Sequence, residues 1–230
     1  MTNDNSTANA SQSALNELLS SETYQSNLQF WNNAWNGVKS AYTQLPDLGY
    51  LPSIPEWLTE NQYGNILDLG CGSGWLSIYL AKRGFKVTGI DVAPHAIELA
   101  RNWATSEGLA ITFDVEDIAA MSYTPNQFDA VVANSIFEHF TYDLAKCTLE
   151  RLRSIIKPQG GFIGCFDKVG TGPGDYFKLD DGSQIYTDKF RKGMLLRFFP
   201  DAELQTLFSD WKTVEVKEVD SGSRLVTARA

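Results

Sequence analysis

Three glycines in the run NILDLGCGSGW, residues 65–75, lie between a predicted strand and a predicted helix. Because Gly70, Gly72 and Gly74 have no Cβ, the backbone can turn tightly there and bring N–H groups and the positive helix end against an anionic or polar ligand. A dinucleotide fingerprint would have its third glycine where Trp75 stands, and a Walker loop would continue with Lys-Ser or Lys-Thr. The motif therefore predicts a nucleotide-like cofactor, with a nicotinamide dinucleotide as the weaker candidate and a purely structural turn as the alternative.

Asp91 ends the next predicted strand, in the run VTGIDVAPHAIELAR. A carboxylate at this place lies beside the glycine turn and can accept hydrogen bonds from both hydroxyl groups of a ribose. Asp91 could instead only cap the following helix, because Pro94 comes shortly after it. Its position relative to the three glycines favours ribose binding.

His139 follows the fourth predicted strand, in the run NSIFEHF. The carboxyl edge of a parallel sheet is where ligands bind, so His139 could take a proton from a hydroxyl or an amine. A histidine that caps the next helix, or that packs beneath a lid, is the alternative. His95, at the start of a helix, is expected on the surface.

These residues belong to a regular alternation of strands and helices, which is typical of a sheet with crossover connections. Parallel strands are predicted at 65–69, 86–90, 110–113, 128–133 and 161–166, and helices at 75–83, 94–105, 143–156 and 201–211. The last two strands, 213–219 and 225–228, flank the short loop DSGS and must run antiparallel. The predicted fold class is α/β: a doubly wound, mostly parallel seven-stranded sheet with an antiparallel C-terminal hairpin, plus an N-terminal helical cap.

Two regions outside this alternation define the expected domain organisation. Residues 1–62 form a predicted helical cap whose first residues, 1–12, are expected to be mobile. Residues 63–230 form the core, interrupted at about 168–199 by a segment rich in glycine, aromatic and basic residues. A connection of this length is usually a lid or a substrate loop, or it packs as a structural subdomain.

Aromatic side chains of the cap and of this segment are candidate walls for a substrate. Trp31 and Trp35 recur at helical spacing in the cap, and Tyr176 and Tyr186 lie in the segment 168–199. Together they could enclose an apolar or aromatic small molecule, and Arg191 could hold an acidic group. The alternative for each is packing in the core or, for the arginine, solvation.

Composition limits the partners. The chain has 230 residues, 43% of them hydrophobic, and a net charge of −9, so its average surface is expected to repel nucleic acid. No run approaches the roughly 20 apolar residues of a membrane-spanning helix, and the first residues lack a signal-peptide pattern. Cys71, Cys147 and Cys165 show no CxxC spacing, which predicts reduced thiols. We expect a cytoplasmic protein without nucleic-acid or membrane partners, and the oligomeric state is not predicted.

Four segments together resemble the class I S-adenosylmethionine-dependent methyltransferases: ILDLGCGSG, GID, FDAVVA and KPQGGF. The similarity covers roughly residues 60–166, and the predicted C-terminal hairpin is also in keeping with this family. Two motifs at the right separation, supported by weaker ones downstream, are more specific than one glycine loop. The cofactor that the resemblance implies is S-adenosyl-L-methionine.

The resemblance implies roles for the residues at the matching positions. Asp68 and the backbone of Gly70 and Gly72 would hold the methionine end of the cofactor, within the motif that also contains Cys71 and Gly74.

Beyond the glycine motif, Asp91 would bind the ribose and Val92 would pack on the adenine. Asn134, at the end of the fourth strand, would line the site near the sulfonium.

An acid after the third strand bonds the adenine amino group in this family. Asp114, Glu116 and Asp117 are available for this role. Asp117, with the backbone of Ile118, is preferred because its distance from the run FDAVVA is suitable.

The predicted function is transfer of a methyl group from this cofactor to an oxygen, nitrogen or carboxylate acceptor on a small molecule or short peptide. Transfer from a sulfonium is an in-line displacement, so alignment and water exclusion matter most, and a base such as His139 is needed only for some acceptors. The alternatives are a nicotinamide-dependent oxidoreductase and a protein that binds the cofactor without turnover. Some related methyltransferases bind a metal through ExxEH at this place, but Ser135 replaces the first Glu here, so no metal is predicted.

Overall fold

A seven-stranded sheet organises the chain, of which the computed structural model describes residues 4–170, 172 and 174–230. The strands in chain order are β1 (Asn65–Leu69), β2 (Lys86–Asp91), β3 (Thr112–Val115), β4 (Phe128–Asn134), β5 (Ile156–Phe166), β6 (Tyr176–Lys178), β7 (Gln184–Tyr186), β8 (Leu195–Leu196), β9 (Lys212–Val219) and β10 (Ser223–Arg229). The central sheet has the order β3-β2-β1-β4-β5-β10-β9, with β1 to β5 parallel and β10 antiparallel to both of its neighbours. The predicted fold class, including the C-terminal hairpin, is confirmed.

Helices cover the sheet, and successive side chains of its strands face opposite layers. The helices are α1 (Asp4–Ser20), α2 (Glu22–Asn36), α3 (Ser53–Glu60), α4 (Trp75–Ala81), α5 (Pro94–Ser106), α6 (Tyr142–Ile155) and α7 (Asp201–Leu207). Ile66 of β1 belongs to an apolar cluster with side chains of α3 and α4. Its neighbour Leu67 belongs to a cluster with side chains of α6 and α7. Successive residues of a strand thus supply apolar side chains to both layers in turn.

Phe162 of β5 lies at the centre of an aromatic cluster on the α6 and α7 side of the sheet. Its ring has no exposed surface, and its centroid is 5.8 Å from that of Phe137, 5.1 Å from that of Phe208 and 6.0 Å from that of Trp211. These contacts tie β5 to the chain before α6 and to the chain after α7, so this ring joins segments that are far apart in sequence.

Local turns explain where the observed boundaries differ from the predicted ones. The strand predicted at 110–113 is β3 at Thr112–Val115, because the N–H groups of Gly108 and Leu109 still bond carbonyls at the end of α5. The helix predicted to reach residue 83 ends at Ala81, and the chain turns at Gly84, whose φ is +90°. The helix predicted to reach residue 211 ends at Leu207.

The cap consists of α1, α2 and α3. Helix α1 begins at Asp4, and residues 1–3 lie outside the described residues. The mobility expected for residues 1–12 stays a prediction. Helix α2 begins at Ser21, whose hydroxyl accepts a hydrogen bond from the N–H of Tyr24. None of the helices within the described ranges is both long and apolar enough to cross a membrane.

The segment 168–199 contains a second, small sheet, although its residues 171 and 173 lie outside the described residues. Strands β6, β7 and β8 pair antiparallel in this sheet. We call residues 174–196 the lid sheet. Strand β8 packs against α2 and against a single 3-10 turn at Phe137–His139. The segment therefore has structure of its own and reaches the end of β4 and the cap.

Candidate active site

The three glycines form a left-handed turn between β1 and α4. Gly70, Gly72 and Gly74 have φ values of +62°, +54° and +92°, and Gly74 caps the N-terminus of α4. A Cβ on Gly70 would overlap the side chain of Ile136, and one on Gly72 would lie 2.7 Å from Cζ2 of Trp35. Both the backbone conformation and the close approach of these side chains therefore require glycine at 70 and 72.

Asp91 joins the end of β2 to this turn. Its Oδ2 accepts a hydrogen bond of 3.0 Å from the N–H of Gly72, and its Oδ1 accepts one of 2.9 Å from the N–H of Ala93. Burial raises the pKa of this carboxyl, and these N–H groups oppose that rise. Each oxygen has a further lone pair, so the carboxylate retains the capacity to bind two ribose hydroxyls.

Asp68 and Cys71 are both buried beside the glycine turn. Ser77 of α4 donates a hydrogen bond of 2.6 Å to Oδ2 of Asp68, and burial raises the pKa of this carboxyl to about 7. Cys71 packs in an apolar cluster with side chains of α4 and α5, and burial raises the pKa of its thiol. Gly74 faces Ala100 and Phe113 in the same layer.

Asp117 is the acid that reaches the site from the chain after β3. Its Oδ1 accepts hydrogen bonds from the hydroxyl of Tyr24 at 2.5 Å and from the N–H of Ala119 at 2.9 Å. Asp114, in contrast, lies near the hydroxyl of Tyr123. Of the three candidate acids, Asp117 is therefore the one beside the cap helix, with one oxygen anchored and Oδ2 left for a ligand.

The end of β4 brings polar and apolar groups to the same place. The hydroxyl of Tyr50 donates a hydrogen bond of 2.5 Å to Oδ1 of Asn134. Ser135 has a φ of +51°, uncommon for a residue with a Cβ, and its hydroxyl donates to Oδ1 of Asp167 at 2.7 Å. The 3-10 turn that follows places His139 over the same region.

His139 has one ring nitrogen bonded to the lid sheet. Its Nδ1 lies 3.1 Å from the carbonyl oxygen of Leu195, and its ring centroid lies 4.4 Å from that of Trp31, edge to face. Burial lowers the pKa of the imidazole, and Asp167 opposes this fall. Burial therefore favours the neutral imidazole over the imidazolium.

A cavity of about 140 Å³ lies where these groups meet. The structure brings the following predicted residues to its wall: Gly70, Asp91, Val92, Asp117, Ile118, Asn134, Trp31, Trp35 and His139. Asp68, Cys71, Gly72 and Gly74 support the wall from behind and do not line it. Their contact with a cofactor stays a prediction.

Helix α2 supplies wall residues that the sequence analysis missed. Tyr24, Asn27 and Leu28 line the cavity together with Trp31 and Trp35 of the same helix. All five recur at helical spacing. Extending the pattern of α2 toward the start of the helix would therefore have predicted Tyr24 and Asn27. Ser135, Ile136 and Phe140, in the run that contains His139, also line it.

The lid residues expected at the acceptor site lie elsewhere. Tyr186 lines a separate groove of about 1030 Å³ between the outer face of α2 and the lid sheet, and the ring of Tyr176 packs against it at a tilt, with the centroids 5.5 Å apart. Arg191 forms a 3.0 Å ion pair with Asp188 instead of pointing into the cavity. A role for Tyr176, Tyr186 and Arg191 in acceptor binding therefore stays a prediction, and this arrangement does not support it.

Glu138 is a buried carboxyl behind the cavity. It is 1% exposed, its Oε1 accepts a hydrogen bond of 2.5 Å from the N–H of Asp167, and its Oε2 has no partner among the described residues. Burial, followed by the charge of Asp167, raises its pKa from 4.5 to about 8. The folded protein therefore keeps this proton up to a higher pH than the unfolded chain does.

This proton makes stability depend on pH. The stabilisation is complete below about pH 4.5 and is lost as pH rises through the window up to about 8, because the unfolded chain releases the proton first. As pH rises from 5 to roughly 8, we expect the free energy of unfolding in urea to fall less for Glu138→Gln than for the unchanged protein. The exposed Glu150→Gln on α6 is the control. Parallel pH curves for Glu138→Gln and the unchanged protein would contradict the assignment.

Within the described ranges, the His, Cys, Asp and Glu side chains form no group of three or more that could hold a metal ion.

Comparisons with known proteins place this arrangement in a family. Residues 66–160 match a family model described as "Methyltransferase domain". The chain is 33% identical over 125 residues to the 2-heptyl-1-hydroxyquinolin-4(1H)-one methyltransferase of Mycobacteroides abscessus, an alignment that covers 53% of this chain and 55% of that protein. The chain thus spans little more than half the length of this relative. It is 30% identical over 165 residues to the ubiquinone biosynthesis O-methyltransferase of Xanthomonas campestris pv. campestris, covering 64% of this chain and 67% of that protein.

A solved structure shares the fold. The 1,6-didemethyltoxoflavin-N1-methyltransferase of Burkholderia thailandensis, crystallised with 1,6-didemethyltoxoflavin and S-adenosylhomocysteine, superposes with a TM-score of 0.58. It is 21% identical in sequence, and the match covers 90% of this chain and 84% of that one.

Proposed function

Because the chain belongs to the S-adenosylmethionine-dependent methyltransferases with a Rossmann-like fold, we propose that it transfers a methyl group from S-adenosylmethionine to a small molecule. The observation that carries this proposal is that Gly70, Asp91 and Asp117, at or just after the ends of β1, β2 and β3, line one cavity. Strands that lie side by side in the sheet deliver these residues to one edge, where open α/β sheets bind their ligands.

The residues at this edge fit the cofactor. The left-handed backbone of Gly70 reaches the cavity wall, and Asp91 has lone pairs for two ribose hydroxyls. Oδ2 of Asp117 can accept a hydrogen bond from the adenine amino group beside Val92 and Ile118. When bound, S-adenosylmethionine supplies a methyl group on a positively charged sulfur for in-line displacement.

The side chains around the remaining wall align the acceptor and exclude water. Leu28, Trp31, Ile136 and Phe140 supply apolar surface to the cavity wall. His139, on the same wall, holds the proton of an acceptor that has to lose one. These groups perform the two tasks that methyl transfer requires of the protein, alignment and water exclusion, and His139 adds proton removal for the acceptors that need it.

The wall favours a neutral, flat acceptor with a hydroxyl or an N–H group. Asp91 and Asp117 line it and no lysine or arginine does so among the described residues, so an acidic acceptor is disfavoured. The indole Nε1 of Trp31 is buried without a hydrogen-bond partner in the part of the chain that the structure describes. An oxygen atom on the acceptor would satisfy this donor. The relatives named for a hydroxyquinolinone and for ubiquinone biosynthesis support a ring-borne hydroxyl.

A calorimetric titration tests the function. We expect S-adenosylhomocysteine to bind with a dissociation constant on the order of micromolar, and NAD to show no binding at the same concentrations. Incubation with S-adenosylmethionine and a panel of hydroxyquinolones and phenols, followed by mass spectrometry, then detects methylated product. Binding of NAD alone would contradict the proposal, and cofactor binding without any product would favour a binding protein without turnover.

The setting is also part of the proposal. Cys71, Cys147 and Cys165 are free thiols, which supports a reducing, cytoplasmic environment. The net charge of −9 supports a small molecule rather than nucleic acid as the partner. Residues 1–62 would serve as the cap of the site and residues 63–230 as its core.

A further inference from the structure

Asn27 is a buried polar residue in the middle of α2. Its side chain is 2% exposed, yet both ends of its amide are bonded. The Nδ2 group donates a hydrogen bond of 2.9 Å to the carbonyl oxygen of His139, and Oδ1 accepts one of 3.0 Å from the N–H of Leu195. One cap side chain therefore joins the 3-10 turn after β4 to strand β8 of the lid sheet.

The same two residues are joined a second time through the imidazole. A carbonyl oxygen only accepts hydrogen bonds, so the 3.1 Å contact with Leu195 requires a proton on Nδ1 of His139. A neutral imidazole carries one proton, so Nε2 then bears the lone pair. His139 lines the cavity, and this lone pair is the basic site that the ring has left for a ligand.

We propose that Asn27 is a positioning residue that fixes this tautomer of His139, so that Nε2 accepts the proton of the methyl acceptor. The amide holds the backbone of His139 and of Leu195 at the separation in which the Nδ1–H bond forms. Without it, the N–H of Arg197 still bonds the carbonyl oxygen of Glu138, but His139 and Leu195 themselves lose their bridge, and the imidazole is free to carry its proton on Nε2. The inference rests on the proposed function, because it concerns proton removal during methyl transfer.

The chemical step balances with the groups present. A lone pair on the acceptor oxygen or nitrogen attacks the methyl carbon, and the carbon–sulfur bond breaks with its electron pair remaining on sulfur. The sulfonium becomes a neutral thioether. The acceptor's proton passes to Nε2 of His139, which becomes an imidazolium, and solvent receives this proton when the site opens.

Charged groups near His139 come from several elements. Asp167, at the end of β5, favours the imidazolium, and Glu138 precedes His139 on the same turn. Asp91 and Asp117 lie on the opposite wall of the cavity. Because Asn27 has no charge, its replacement by alanine leaves all these charges in place, and a change in the titration of His139 then reports geometry.

Nitrogen NMR of the ring tests the proposal without knowledge of the acceptor. The chain contains two histidines, so ¹⁵N-histidine labelling gives two ring systems, and a His139→Gln variant assigns them. We expect Nδ1 of His139 to be protonated and Nε2 unprotonated in the unchanged protein. In Asn27→Ala we expect both tautomers to be populated. A protonated Nε2 in the unchanged protein, or an unaltered tautomer in Asn27→Ala, would overturn the proposal.

A second variant guards against loss of folding. Asn27→Leu fills a similar volume and adds no charge but loses both hydrogen bonds, so its tautomer shift is expected to match that of Asn27→Ala. Asn33→Ala, on the exposed face of the same helix, is the control and should leave the ring unchanged.

Activity provides the second readout. Once an acceptor is identified, we expect kcat of Asn27→Ala to fall about tenfold, which is less than the full contribution of a general base. The loss in kcat should become smaller as pH rises. The control Asn33→Ala should bind S-adenosylhomocysteine within twofold of the unchanged protein. A failure of the proposed function shows as no binding of S-adenosylhomocysteine to the unchanged protein. Failure of this inference shows instead as normal binding with an unchanged pH profile.

Discussion

Asp91→Ala is expected to weaken the binding of S-adenosylhomocysteine by about 3 kcal/mol, on the order of 100-fold. The carboxylate has one lone pair on each oxygen beyond the bonds from Gly72 and Ala93, and two charge-assisted bonds to ribose hydroxyls would use them. Removing the carboxylate also frees the N–H of Gly72, so the turn after β1 loses its tie to β2. Isothermal titration calorimetry measures the affinity directly.

A nearby acid provides the control for Asp91. Glu98→Gln removes a carboxylate from the exposed side of α5, near His95, and should change the affinity less than twofold. Circular dichroism of both variants checks that the fold is retained. An Asp91→Ala variant that is folded and binds within threefold of the unchanged protein would show that the ribose contact is assigned to the wrong residue.

Phe162→Ala is expected to lower the free energy of unfolding by about 3–5 kcal/mol. Its ring is completely buried among Phe137, Phe208 and Trp211, so truncation leaves a cavity that rigid aromatic neighbours cannot fill. For a chain of this size, the melting temperature should fall by roughly 10 °C. Urea unfolding followed by fluorescence gives the free-energy difference.

An exposed phenylalanine distinguishes burial from residue type. The ring of Phe190 in the lid sheet is 83% exposed, so Phe190→Ala should change stability by at most about 0.5 kcal/mol. If Phe162→Ala costs less than about 1.5 kcal/mol, the cluster does not hold β5 to the helices in the way the structure indicates.

The sheet could be predicted from the sequence because its information is local. Each strand is a short apolar run bounded by turn residues, and Ile66 and Leu67 face opposite layers simply because strand side chains alternate. The glycine turn was also recognisable, since three alternating glycines between a buried strand and a helix are typical of a backbone that approaches a ligand closely. The end of a helix was harder to place, as at Gly84, because it depends on which carbonyl the next N–H reaches.

The cap side of the site could not be predicted, because its contacts join distant parts of the chain. Tyr24 meets Asp117 across 93 positions, and Asn27 meets His139 across 112. Periodicity shows that a helix has an apolar face but not which cavity that face covers. Arg191 of the lid sheet makes a local contact instead. It is paired with Asp188, three positions away, and is therefore not available to a distant ligand.

Helix α2 both completes the wall of the cavity and covers it. Trp35 rests on Gly72, and the enclosed space of about 140 Å³ is smaller than the roughly 300–1,000 Å³ of ordinary ligand pockets. We therefore expect a nucleoside cofactor to reach Asp91 only when this helix moves outward, and the demethylated cofactor to leave by the same movement. Each catalytic cycle then contains an opening and a closing step, and we expect product release, governed by the mobility of one helix, to set the turnover rate.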